Sequence, residues 1–116
     1  MNEAPIEIRL RRQSRVLEIA FTGGERYALP FEFLRVNSPS AEVKGHGPGQ
    51  ETLVLGKQAV MVSAVEPVGQ YAVRLIFDDG HDSGLYSWKY LRELGRDQEG
   101  LWRQYLERVT AATAKG

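Results

Sequence analysis

The chain has 116 residues, with 15 basic and 15 acidic side chains, 42% hydrophobic residues and no cysteine. That size fits a single domain over residues 1–116, and the composition is that of a globular chain. Zero net charge argues against a protein held chiefly by nucleic-acid phosphates or anionic lipid. The lack of cysteine excludes disulfides, thiolate zinc ligation, iron–sulfur ligation and cysteine nucleophiles. No apolar run approaches the roughly 20 residues that span a bilayer, and no signal-peptide pattern opens the chain, so a soluble cytoplasmic protein is expected.

Ile6, Ile8 and Leu10 alternate with Glu7, Arg9 and Arg11, and Leu17, Ile19 and Phe21 alternate likewise. These predict two half-buried strands joined by a turn at Gln13-Ser14. After Thr22-Gly23-Gly24, residues 26–29 return as a third strand. Pro30 suits the first position of a short helix through Phe31, Phe33, Leu34 and Arg35, broken at Asn37-Ser38-Pro39. Residues 38–50, rich in glycine, read as a long loop. Residues 59–65 and 71–77 predict a second hairpin turning at Pro67-Val68-Gly69-Gln70, and residues 81–85 a further short strand. Ser87 caps a helix over 88–94, stopped by Gly95. Asp97 caps a last helix whose Leu101, Trp102, Tyr105, Leu106 and Val109 form the buried stripe, with a frayed tail at 111–116. The expected fold class is α+β: a mainly antiparallel sheet of two hairpins plus short strands, one short helix after the first strands and two C-terminal helices.

Asp78-Asp79-Gly80-His81-Asp82-Ser83-Gly84 is the densest polar cluster. Asp and Gly are what a hairpin turn uses, while carboxylates beside an imidazole are also metal donors. The only other histidine, His46, lies in the Gly-rich loop, so a zinc or iron site would combine His81, His46 and one of Asp79 or Asp82. Neither a Gly-x-Ser-x-Gly elbow nor a phosphate-binding Gly-Lys-Ser/Thr ending is present, which argues against a hydrolase or a nucleotide loop. Arg9, Arg11, Arg12 and Arg15 read as a solubilising sheet edge, without the interleaved aromatics of a nucleic-acid surface.

Three segments carry a resemblance: 34–42 (Leu-Arg-Val-Asn-Ser-Pro-Ser-Ala-Glu), 66–72 (Glu-Pro-Val-Gly-Gln-Tyr-Ala) and 78–88 (Asp-Asp-Gly-His-Asp-Ser-Gly-Leu-Tyr-Ser-Trp). Over residues 5–110 the chain resembles the domain of unknown function 971 family, the γ-butyrobetaine hydroxylase-like N-terminal domain. The resemblance implies an accessory domain rather than an enzyme, because in the hydroxylases the iron- and 2-oxoglutarate-dependent reaction belongs to a separate domain. It also implies a zinc site of three cysteines and one histidine, with His81 at the histidine position. Ser38, Ser40 and Val43 stand at the cysteine positions. Serine hydroxyls ligate zinc poorly and valine not at all. His81 is then expected to tie the turn to the loop after the first helix by hydrogen bonding, with no resident cofactor.

The same domain type accompanies ATPases of iron–sulfur cluster assembly, so the implied partner is a protein: an oxidoreductase or such an ATPase, not nucleic acid or membrane. Its expected contact surface comprises Asn37, Ser38, Ser40, Glu42, Asp79, Asp82, Ser83, Tyr86 and Trp88, with Tyr90 beside them. The alternative is a metal-binding accessory protein linked to iron or iron–sulfur cluster handling.

Overall fold

The alternating segments pair as their periodicity requires. In the computed structural model, which describes residues 4–45 and 52–114, β1 (Glu7–Arg11), β2 (Val16–Ala20) and β3 (Arg26–Pro30) form one antiparallel sheet in that order. Leu10 lies opposite Leu17, which lies opposite Leu29, so one face is apolar across all three strands. The intervening turn ends at Arg15, in the left-handed region at φ 57°. The outward side chains form ion pairs, Arg9 with Glu7 at 2.8 Å and Arg11 with Glu18 at 3.0 Å.

The second sheet is β4 (Val62–Val68), β5 (Ala72–Phe77) and β6 (Leu85–Ser87), also antiparallel and in chain order. The fold class is α+β, with the strands divided between two three-stranded sheets rather than gathered in one. Arg12 and Arg15 connect them, donating to Ser63 O at 2.9 Å and Gln58 O at 3.3 Å. β4 runs on through Pro67, which pairs with Val73, so the turn comes later than its proline suggests. The sheet order leaves β4 on an edge, where a residue without an N–H is tolerated.

Four helices complete the chain: α1 (Phe31–Val36), α2 (Ala41–Lys44), α3 (Trp88–Arg96) and α4 (Gln98–Thr113). Leu17, Ile19, Leu29, Phe31, Phe33, Leu34, Leu75, Tyr86 and Leu91 are the centre of the common core. Four expectations are corrected. The long loop contains α2, started by Ser40, whose hydroxyl accepts from Glu42 N–H. The strand expected at 81–85 is displaced to β6, because His81 turns inward. Gly95 does not stop α3; it lies inside the helix, where the Tyr27 ring occupies the space a Cβ would take. In α4, Tyr105 is buried and Trp102 half-buried, but Leu106 is 47% exposed; the helix runs to Thr113, and the end of the tail expected to fray, residues 115–116, lies outside the described residues. Among the described residues no helix is long and apolar enough to cross a membrane.

Candidate functional site

Two chain segments about forty residues apart meet at the end of α1. On the first, the Asn37 side chain donates to Phe33 O at 2.9 Å, closing the helix and sending Ser38 inward. Ser40 then caps α2, its hydroxyl accepting from Glu42 N–H at 3.2 Å. Two tyrosines hold the segment from below: Tyr86 donates to Leu34 O at 2.6 Å and Tyr90 to Asn37 O at 2.5 Å. Burial pushes the Tyr86 phenol well above its ordinary pKa, so it remains a neutral donor.

The second segment is the turn after β5. Gly80, at φ 90°, lets the chain reverse, and His81 O accepts from Phe77 N–H at 3.0 Å. Asp79 accepts from His81 N–H at 3.1 Å and pairs with Arg35 at 2.9 Å and Lys57 at 2.7 Å. Burial disfavours the Asp79 carboxylate, but Lys57, the His81 amide and Arg35 together outweigh it and hold the pKa at about 2, below the ordinary 3.8.

Between the segments His81 is 4% exposed and both ring nitrogens have partners. Nε2 lies 2.8 Å from Ser38 Oγ, and Nδ1 lies 3.2 Å from Glu42 Oε2. A carboxylate only accepts, so Nδ1 carries a proton toward Glu42; in the neutral form of the ring Nε2 then accepts from the Ser38 hydroxyl. Ser83 donates to the other oxygen, Glu42 Oε1, at 3.2 Å, which makes Ser40 the donor across the 2.7 Å contact with Ser83. The Ser38 hydroxyl also accepts from Ser40 N–H at 3.3 Å. Each hydroxyl therefore has a partner, while at the edge of the site Arg35 keeps one buried guanidinium nitrogen, Nη1, without a hydrogen bond.

Ser38, His81 and Glu42 stand in the order of a hydrolase triad, yet the geometry opposes that chemistry. Ser38 has no exposed surface, and a Cβ on Gly84 would stand 2.5 Å from its Oγ, so no carbonyl carbon has room to approach.

The family follows from the whole chain. Residues 8–92 match the family model described as γ-butyrobetaine hydroxylase-like, N-terminal. The chain belongs to the γ-butyrobetaine hydroxylase-like N-terminal domain family. No curated protein matches it. Two solution NMR structures are similar over nearly the full length: one at 48% identity and a TM-score of 0.85, covering 97% of this chain and 89% of the other; the second at 51% and 0.82, covering 96% and 83%. A 1.93 Å crystal structure from Acidithiobacillus ferrooxidans, of a protein with unknown function in the domain of unknown function 971 family, is 44% identical, with a TM-score of 0.66 and coverage of 78% and 91%.

For a γ-butyrobetaine hydroxylase-like N-terminal domain, the positions to compare with the expected zinc ligands are Ser38, Ser40, Val43 and His81. The fold gathers Ser38, Ser40 and His81 into one network, while Val43 is a buried apolar residue. The donor set does not fit zinc: hydroxyls replace thiolates, and the His81 lone pair that a metal would use accepts from Ser38. The carboxylate beside the imidazole is Glu42, which corrects the expected use of Asp79 or Asp82. Asp79 is held by Arg35 and Lys57, and Asp82 faces Arg74 at 4.0 Å. His46 lies outside the described residues. Among those described, no group of three or more His, Cys, Asp or Glu is placed to hold a metal ion.

The expected contact surface is also redrawn. Tyr86 and Trp88 are core residues, buried in the common hydrophobic cluster with their polar atoms donating to the carbonyls of Leu34 and Gln70. Ser38 and Ser40 are buried and Asn37 is half-buried, leaving Glu42, Asp79, Asp82 and Ser83 at the surface, joined by Leu85 at 49% exposure. Arg35, Lys57 and Gly84 were not legible as site residues. Their roles depend on contacts with residues 22 to 46 positions away, and no local motif marks them.

Proposed function

We propose that this chain is a non-catalytic accessory domain that docks onto a protein partner through the surface carrying Glu42, Asp82, Ser83 and Leu85. The observation that carries this reading is the saturation of His81. With one ring nitrogen bonded to Ser38 and the other to Glu42, the polar centre works as a latch that shapes a surface, with no free group left for chemistry. What the latch presents is a carboxylate-rich patch with one apolar side chain, small enough for a transient contact. The family description supports an oxidoreductase as partner class, since it describes an N-terminal domain of a hydroxylase-like protein; an iron–sulfur assembly ATPase is the other candidate.

The test is capture of partners by the wild-type chain beside a Glu42→Lys/Leu85→Asp variant, both purified without a histidine tag. The expected result is a protein retained by the wild type and lost by the folded variant, with metal well below stoichiometric in both. Identical capture by both proteins, or near-stoichiometric metal lost with His81→Ala, would overturn the proposal.

A further inference from the structure

The hydroxyl network lies at the C-terminal end of α1. At the other end, between the start of α1 and the α3–α4 corner, an open groove of about 970 Å³ remains, large enough for several side chains. Its floor is aromatic. Trp102 meets Phe33 edge-to-face with centroids 6.3 Å apart and stacks on Tyr105 at 5.1 Å.

The rim is mainly acidic, with Arg96 the one basic residue among its described lining. Glu32 stands on one wall, Asp97 and Glu99 on the other, and none of the three has an ion-pair partner among the described residues. The first turn of α4 explains why Asp97 and Glu99 are tolerated, through the helix dipole, but Asp97 makes no side-chain capping bond and keeps its acceptors free. Glu32 is half-buried, and desolvation raises its pKa above the ordinary carboxylate value. The basic side chain along the groove, Arg96, is already held by Glu25 at 3.1 Å.

We propose that this groove receives a basic segment of a partner protein, with a lysine or arginine side chain set between the Glu32 carboxylate and the Trp102 ring. A cation there relieves a desolvated carboxylate and gains the attraction of an indole face. Carboxylates on both walls favour a chain segment with more than one cation over a lone small ion. This surface is separate from the one carrying Glu42, and the proposal stands whether or not that surface docks.

The experiment is an NMR titration of the full ¹⁵N-labelled chain at low salt with acetyl-Gly-Lys-Gly-Arg-Gly-amide. An acidic Gly-Glu-Gly-Glu-Gly counterpart and free lysine amide serve as comparisons. The expected result is a shift of the Trp102 indole N–H and the Glu32 and Glu99 amides with the basic peptide alone. Affinity should fall about 5-fold or more in Glu32→Gln, with no change in Glu107→Gln, which removes an equal charge elsewhere on α4. Absence of groove shifts, equal shifts with the acidic peptide, or an equal loss in Glu107→Gln would overturn it. Lysine amide matching the peptide in affinity would assign the groove to small cations and also overturn it.

Discussion

The Tyr27 ring packs against Gly95 so closely that a Cβ on Gly95 would overlap its carbons. Helix propensity alone favours alanine over glycine inside α3 by about 1 kcal/mol. The overlap opposes it, and forcing a methyl into an occupied space costs about 1–3 kcal/mol. Gly95→Ala should therefore destabilise the protein in urea titration, and combining it with Tyr27→Ala should recover most of the propensity gain.

Gly84 makes the matching contact at the network, with its absent Cβ 2.5 Å from Ser38 Oγ. Gly84→Ala should cost about 1–3 kcal/mol by displacing the hydroxyl from His81. In a Ser38→Ala background the added methyl meets less obstruction. A double-mutant cycle should then show coupling of about 1 kcal/mol or more, whereas additivity would mean the two sites do not press on each other.

Asp79 sets an acid limit. Its pKa lies at about 2 against an ordinary 3.8, so the folded state favours the charged form. The stabilisation is fully present above pH 3.8 and is lost as the pH falls from there toward about 2. After allowance for solvent screening, Asp79→Asn should cost about 1–2 kcal/mol at neutral pH. The gap between the two proteins should close at the acid end of a pH series of denaturation midpoints.

On α4, depth decides the outcome. Trp102 is half-buried against Phe33 and Tyr105, so Trp102→Ala should cost about 2 kcal/mol, less than the loss of a fully enclosed indole. Leu106 is 47% exposed, and Leu106→Ala should change stability by under about 0.5 kcal/mol. Thermal unfolding of the two variants checks the helix phase directly.

Strand positions were legible because alternation such as Ile8-Arg9-Leu10 has a physical cause on one chain segment: one face is dry and the other wet. Pro67 misled because a proline signals a turn only when the strand it interrupts needs its N–H, and β4 has a free edge. Gly95 misled for a similar reason, as its lack of a side chain serves packing against Tyr27 and not a helix end. α2 was hidden by its brevity; the one local clue was Ser40 two residues before Glu42, an N-cap with an acidic first turn. The network itself joins residues that no spacing rule connects. Resemblance to a family pointed to Ser38, Ser40 and His81, but the part played by Glu42 needed coordinates, since it depends on which face of a four-residue helix looks toward the turn.

The hydroxyl network has a kinetic consequence. Its bonds close separations of 43 residues for Ser38 and His81, 39 for Glu42 and His81, and 41 for Glu42 and Ser83. The hairpins close far shorter loops and meet a smaller entropic barrier. The latch is thus expected to condense after the hairpins have formed, on the native side of the folding barrier. Weakening it should speed unfolding while leaving the refolding rate nearly unchanged. In that order of events, His81 and its hydroxyl partners should act on how long the native state lasts, not on how fast it is reached.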